Sequence, residues 1–151
     1  MRRPTLRVKF YAAAVLMAFA GSLAVAQKGM TEEELDKAMK RAQPAMGAAN
    51  KAIQASNAEE AARQLAIVKG VIVDTQEFWV VHKKEDAIKA NKETVAKIDE
   101  IEKLLTGPSP NPTAAQAALK ELGASCRTCH EVYRVRDADN NWVLKPGSIG
   151  G

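Results

Sequence analysis

The sequence predicts an all-α protein, an antiparallel up-and-down four-helix bundle, and three observations carry that expectation. Apolar residues recur at steps of three and four through most of 31–136, the links between periodic segments are short, and no run of alternating polar and β-branched residues argues for a sheet. Helices of roughly 20 residues joined by short links lie beside one another as antiparallel neighbours.

The first helix opens at Thr31-Glu32-Glu33-Glu34, a capping-box pattern, and carries Leu35, Met39, Ala42, Met46, Ala49 and Ile53 on one stripe. Pro44 lies inside it and removes a backbone donor, so a bend or a displaced turn is expected there. Asn57 with Glu60 signals the second start, ahead of Leu65, Val68, Ile72, Thr75, Trp79 and His82. Gly70 weakens that helix without ending it. The third runs from about Glu85 to Leu105, with Ile88, Val95, Ile98, Ile101 or Glu102, and Leu105 on one face and Lys and Glu on the solvated other. Gly107-Pro108-Ser109-Pro110-Asn111-Pro112 breaks the chain, and Thr113 with Gln116 restarts it. The fourth stripe is Ala118, Leu122, Cys126, Cys129 and Tyr133. Aromatics make up only 5% of the chain and alanine fills many inward positions, so the core is thin unless a large apolar ligand completes it. Residues 137–151 lack helical period. Asp139-Asn140-Asn141-Trp142 reads as a turn that returns a short tail, with Trp142 and Val143, onto the bundle.

Ahead of the helices, Arg2, Arg3, Arg7 and Lys9 precede an uncharged apolar run from Phe10 to Ala24, and Ala24-Val25-Ala26 offers a small-residue cleavage site. That is the pattern of a signal peptide over 1–26, which leaves a bundle domain over 27–136 and a non-helical C-terminal tail over 137–151. The run is short for a membrane span, so no membrane attachment is expected after cleavage. The net charge of +4 comes from 22 basic and 18 acidic residues, and removal of the four leader bases leaves the two signs balanced. The high pI of 9.1 therefore belongs to the leader and gives no support to nucleic-acid binding.

The only two cysteines stand in Cys126-Arg127-Thr128-Cys129-His130, the C-x-x-C-H signature of c-type haem attachment. On a helix this spacing brings two thiols to the two vinyl groups of one porphyrin, and the next residue sets an imidazole beneath the iron. A redox dithiol belongs beside strands that this sequence does not predict, and a zinc site needs further ligands when the only other histidine is His82. One covalent haem c, with His130 as an iron ligand, is the expected cofactor.

The stretch Gly123-Ala124-Ser125-Cys126-Arg127-Thr128-Cys129-His130-Glu131-Val132-Tyr133-Arg134 at the end of a fourth helix resembles the class II cytochromes c, the family of cytochrome c prime and its low-spin relatives. The resemblance spans 31–136, strongly at the motif and by pattern elsewhere. It implies a periplasmic four-helix bundle that encloses a covalently attached haem. It also implies that the first helix supplies the distal residue and that Arg134 tunes the axial histidine, although a plain surface arginine is an equal reading. Tyr133, on the inward stripe, is read as packing against the porphyrin.

The distal ligand separates two functions, because a His/Met haem shuttles electrons whereas an open iron binds gases. In one register Met39-Lys40 followed by Met46-Gly47 is similar to the family's distal methionine with its small-residue turn, which makes Met39 the thioether ligand. Leu35 then stands where the family often has a propionate-pairing arginine. In the other register Arg41 takes the arginine position and Ala45 the distal one, and the iron is open to nitric oxide or carbon monoxide. Met46 as ligand, or both methionines as core filler, are the remaining readings. The expectation is a non-enzymatic electron carrier whose partners are periplasmic redox proteins. A homodimer through the first two helices is an option that the resemblance leaves open.

Overall fold

The computed structural model describes residues 29–150; the expected signal peptide lies outside the described residues. Four α-helices form the body of the chain, α1 (Glu32–Gln54), α2 (Ala58–Val81), α3 (Glu85–Thr106) and α4 (Pro112–Tyr133), compatible with a four-helix bundle. Two strands of three residues follow, β1 (Arg134–Arg136) and β2 (Trp142–Leu144), paired as an antiparallel hairpin. Among the described residues no helix is long and apolar enough to cross a membrane.

Local chemistry accounts for the helix ends. Thr31 Oγ1 accepts from the Glu34 N–H at 3.2 Å while the Thr31 N–H donates to Glu34 Oε2 at 2.7 Å, the reciprocal box expected from the sequence. Asn57 Oδ1 accepts from the Glu60 N–H at 3.1 Å and caps α2. The start of α4 differs from the expected Thr113. Asn111 is the cap, its Oδ1 accepting from the Ala114 N–H at 3.0 Å, and Pro112 takes the first turn, where its missing N–H has no partner to lose. Helix α1 runs on through Pro44, which lies on its exposed side.

The core also departs from the expected stripes. On α1 the buried residues are Leu35, Ala38, Ala42, Ala45, Ala49, Ala52 and Ile53, with Met39 and Met46 only half-buried at the edge. Small side chains let α1 approach α2 closely, so Ala38 and Ala42 close directly on Val71 and displace the long methionines to the flank. On α3 the inward face takes Ala87, Asn91 and Thr94 besides Ile98, Ile101 and Leu105. Asn91 Nδ2 donates to the Ile72 carbonyl at 3.0 Å and to Thr75 Oγ1 at 3.3 Å, and the Thr75 hydroxyl donates to the same carbonyl at 3.0 Å. These bonds satisfy polar groups that burial would otherwise penalise.

The tail is the clearest correction. The helical pattern reads through Arg136, but α4 ends at Tyr133 and Arg134 turns to extended backbone, φ −124° and ψ 149°. Asp137 Oδ1 accepts from the N–H groups of Asp139 at 2.9 Å and Asn141 at 2.7 Å, and Asn140 takes the left-handed φ of 64°, which reverses the chain. Trp142 and Val143 do not bury on the bundle; they remain 40% and 36% exposed, and Leu144 and Ile149 make the apolar contact instead.

Candidate functional site

Helix α4 sets Leu122, Cys126, Cys129 and Tyr133 at steps of four, three and four, so they share one face, and His130 lies beside them. Leu122 and Tyr133 are buried, at 0% and 5% exposure, and the two cysteines and His130 between them are half-buried. Cys129 packs against an apolar cluster of Leu35, Phe78, Trp79, Ala87 and Tyr133, and Met39 of α1 packs against the same cluster. Met46 does not; it borders the larger cluster and lines a cavity of about 980 Å³ between α1 and α4, with Asn50, Ile53, Gln116 and Leu119. Lys120, at the edge of that cavity, precedes Cys126 by roughly 9 Å of helix axis.

Burial sets the protonation of the motif. Both thiols are free. Burial pushes the Cys126 thiol up, and burial, Asp86 and Cys126 together push Cys129 up to about 11. Neither is the low-pKa thiolate of a redox dithiol. The His130 imidazole is pushed down to about 4, first by burial and then by the Arg134 cation, so it is neutral at pH 7 and keeps a lone pair for a metal. Among the described residues no three His, Cys, Asp or Glu side chains gather into a group that would hold a bare metal ion.

The remaining expected residues gather here too. Tyr133 donates its hydroxyl to Asp86 Oδ1 at 2.6 Å, and burial and that bond raise its pKa. Its ring lies 4.7 Å from Trp79, which meets Phe78 edge-on at 5.0 Å; Phe78 meets the ring of His82, the C-cap of α2, at 4.4 Å. Arg134 Nη1 stands 3.3 Å from both ring nitrogens of His130. Burial lowers the Arg134 pKa, and Asp36 on α1 works against that. Trp79 Nε1 is buried without a hydrogen-bond partner in a residue only 2% exposed. Two free thiols and a neutral imidazole on one helix, beside a cluster whose Trp79 donor has no acceptor among the described residues, suit a porphyrin, whose carboxylates accept hydrogen bonds and whose vinyls take thiols.

No protein-family model matches the chain, no curated protein matches it, and no solved structure matches it. The site therefore stands on its own residues. Sequence reasoning missed the roles of Asp86, Asp36 and Trp142, which come from other elements and carry no spacing signal relative to the motif.

Proposed function

We propose that this chain is a periplasmic monohaem c-type cytochrome of the class II kind, an electron carrier rather than an enzyme, with one haem c. Cys126 and Cys129 hold the haem as thioethers, His130 is the proximal ligand and Met39 the distal one. The bound group supplies a one-electron couple; the chain orients it, excludes water and sets its potential. One observation carries the reading: Cys129 of the motif on α4 and Met39 of α1 pack against a single apolar cluster.

An antiparallel up-and-down bundle is the arrangement that we infer. Leu35 shares a cluster with Tyr133, and Gln116 Nε2 donates to Asn50 Oδ1 at 2.7 Å, so positions on α1 fall as those on α4 rise. That trend supports Met39 at the level of Cys129 and favours it over Met46, whose cavity neighbours come from the other end of α4. A mature chain of balanced charge suits docking to redox proteins through a local patch rather than by strong overall steering.

Absorption spectra and intact mass of the exported protein test this. The expected mass is that of the mature polypeptide plus one haem, and the ferric protein shows a weak far-red thioether band that Met39→Ala abolishes. A high-spin spectrum unmoved by Met39→Ala would transfer the chain to the five-coordinate, gas-binding reading. A colourless chain of bare polypeptide mass would end both.

A further inference from the structure

The hairpin after α4 carries side chains for which haem attachment has no use. Its register sets Arg136 opposite Trp142 and Arg134 opposite Leu144. Strand alternation puts Arg134 and Arg136 on one side of β1, with Trp142 across from them. Both guanidinium groups stand over the indole, Arg134 Cζ 4.7 Å and Arg136 Cζ 4.0 Å from the ring centroid. This is the range in which an indole face attracts a cation.

Arg134 also touches His130, and the form of that contact matters. A nitrogen 3.3 Å from both ring nitrogens lies over the ring, because an in-plane approach midway between them would run into Cε1. His130, Arg134 and Trp142 therefore form one stack, with Arg136 also on the indole. The backbone fixes it at both ends. Asp137 ties the turn through Asp139 and Asn141, and the Lys145 N–H donates to the Tyr133 carbonyl at 2.9 Å, which locks β2 to the last turn of α4. A long arginine side chain left unclamped loses this position to rotamer entropy.

Resting on the haem reading above, we propose that Trp142 is a positioning residue whose indole face holds the Arg134 guanidinium on His130, so that a fixed cation beside the axial ligand favours the ferrous iron. Ferric haem carries one positive charge more than ferrous haem, and a neighbouring cation disfavours the more positive state. Asp36, on α1, favours the charged form of Arg134 from a distance and is itself paired with Lys40 at 2.6 Å.

Redox titration of the holoprotein tests the clamp. The midpoint potential of Trp142→Leu falls below that of the parent while its haem mass and far-ultraviolet dichroism stay unchanged, and Trp142→Phe, which keeps an aromatic face, recovers most of the loss. Arg134→Gln lowers the potential at least as far, and Trp142→Leu added to it lowers it no further. An unchanged potential in Trp142→Leu, or an equal further fall on the Arg134→Gln background, overturns the proposal. A second readout needs no haem: in the chain made without attachment, the Arg134 Hδ protons resonate upfield under the indole and lose that shift in Trp142→Leu. Absence of the upfield shift from a parent chain that keeps the far-ultraviolet dichroism of the holoprotein overturns the clamp, whereas a colourless exported chain that retains the shift overturns the cytochrome reading and upholds the stack.

Discussion

Met39 of α1 and Cys129 of α4 pack against the same apolar cluster, and of the three methionines at the core edge, Met30, Met39 and Met46, Met39 alone packs against both that cluster and the larger one. A residue there is half-buried, which leaves its thioether room to turn toward a ligand. Met→Leu conserves volume, so Met39→Leu and Met46→Leu each change folding stability by less than about 1.5 kcal/mol. Their spectra differ. Only Met39→Leu is expected to remove the far-red band of the ferric protein, and loss of that band in Met46→Leu instead would reverse the ligand assignment.

The buried polar contact between α2 and α3 yields a second prediction. Asn91→Ala removes two hydrogen bonds and opens a cavity, at a cost of about 2–3 kcal/mol in urea unfolding. Asn91→Leu fills the space instead. The Thr75 hydroxyl keeps its bond to the Ile72 carbonyl in either variant, so no donor is orphaned, and Asn91→Leu stays within about 1 kcal/mol of the parent. Equal losses in the two variants would show that the amide, not its volume, sets the stability.

These residues also mark what the sequence can and cannot reveal. Caps at Thr31 and Asn57 are legible because a cap is a contact across three residues, and the face from Leu122 to Tyr133 is legible because it is one helix period. Thr113 misled because Asn111-Pro112 is itself a cap followed by a preferred first residue. The methionine stripe misled because periodicity fixes a face only to within a residue, and the small side chains of Ala38 and Ala42 decide which flank closes on α2. Strands of three residues are too short for alternation to register, so the hairpin and the stack of Trp142 on Arg134 emerge only in three dimensions.

Tyr133 ties the end of α4 to the start of α3 through Asp86. Hydrogen bonds to a charged group contribute about 1.5–3 kcal/mol when shielded, and exposure of Asp86 discounts this one to about 1 kcal/mol. Tyr133→Phe keeps the ring contact with Trp79, so its loss in urea unfolding isolates that bond. A loss far above this value would mean that the hydroxyl also supports the stack of rings.

The end of α3 requires glycine for a steric reason. A Cβ at Gly107 would stand 2.5 Å from the Lys103 carbonyl oxygen, a backbone atom that cannot swing aside and that accepts the Gly107 N–H at 2.9 Å. Gly107→Ala is therefore expected to cost about 1–3 kcal/mol, despite the usual gain from lowering unfolded-state entropy. Thermal unfolding reads this directly, and a stabilised variant would refute the steric account.

The thiols give the most direct chemical test of the motif as an attachment site rather than a redox pair. In the chain made without haem, alkylation follows the thiolate fraction, and Cys129, held up at about 11, is ionised at pH 8 about 10²-fold less than an ordinary thiol. A raised thiol pKa moves ionisation to higher pH, so the alkylation rate of the folded chain climbs as pH approaches 11 instead of levelling above about 8.5. Unfolding in urea removes the burial that causes the shift and should restore ordinary reactivity to both cysteines. Pseudo-first-order alkylation rates across pH 7–11, followed by peptide mass, check each thiol separately. Rapid reaction of folded Cys129 near pH 7 would make it a low-pKa nucleophile, as in a dithiol oxidoreductase, and would count against a pair of thiols kept neutral beside an apolar ligand.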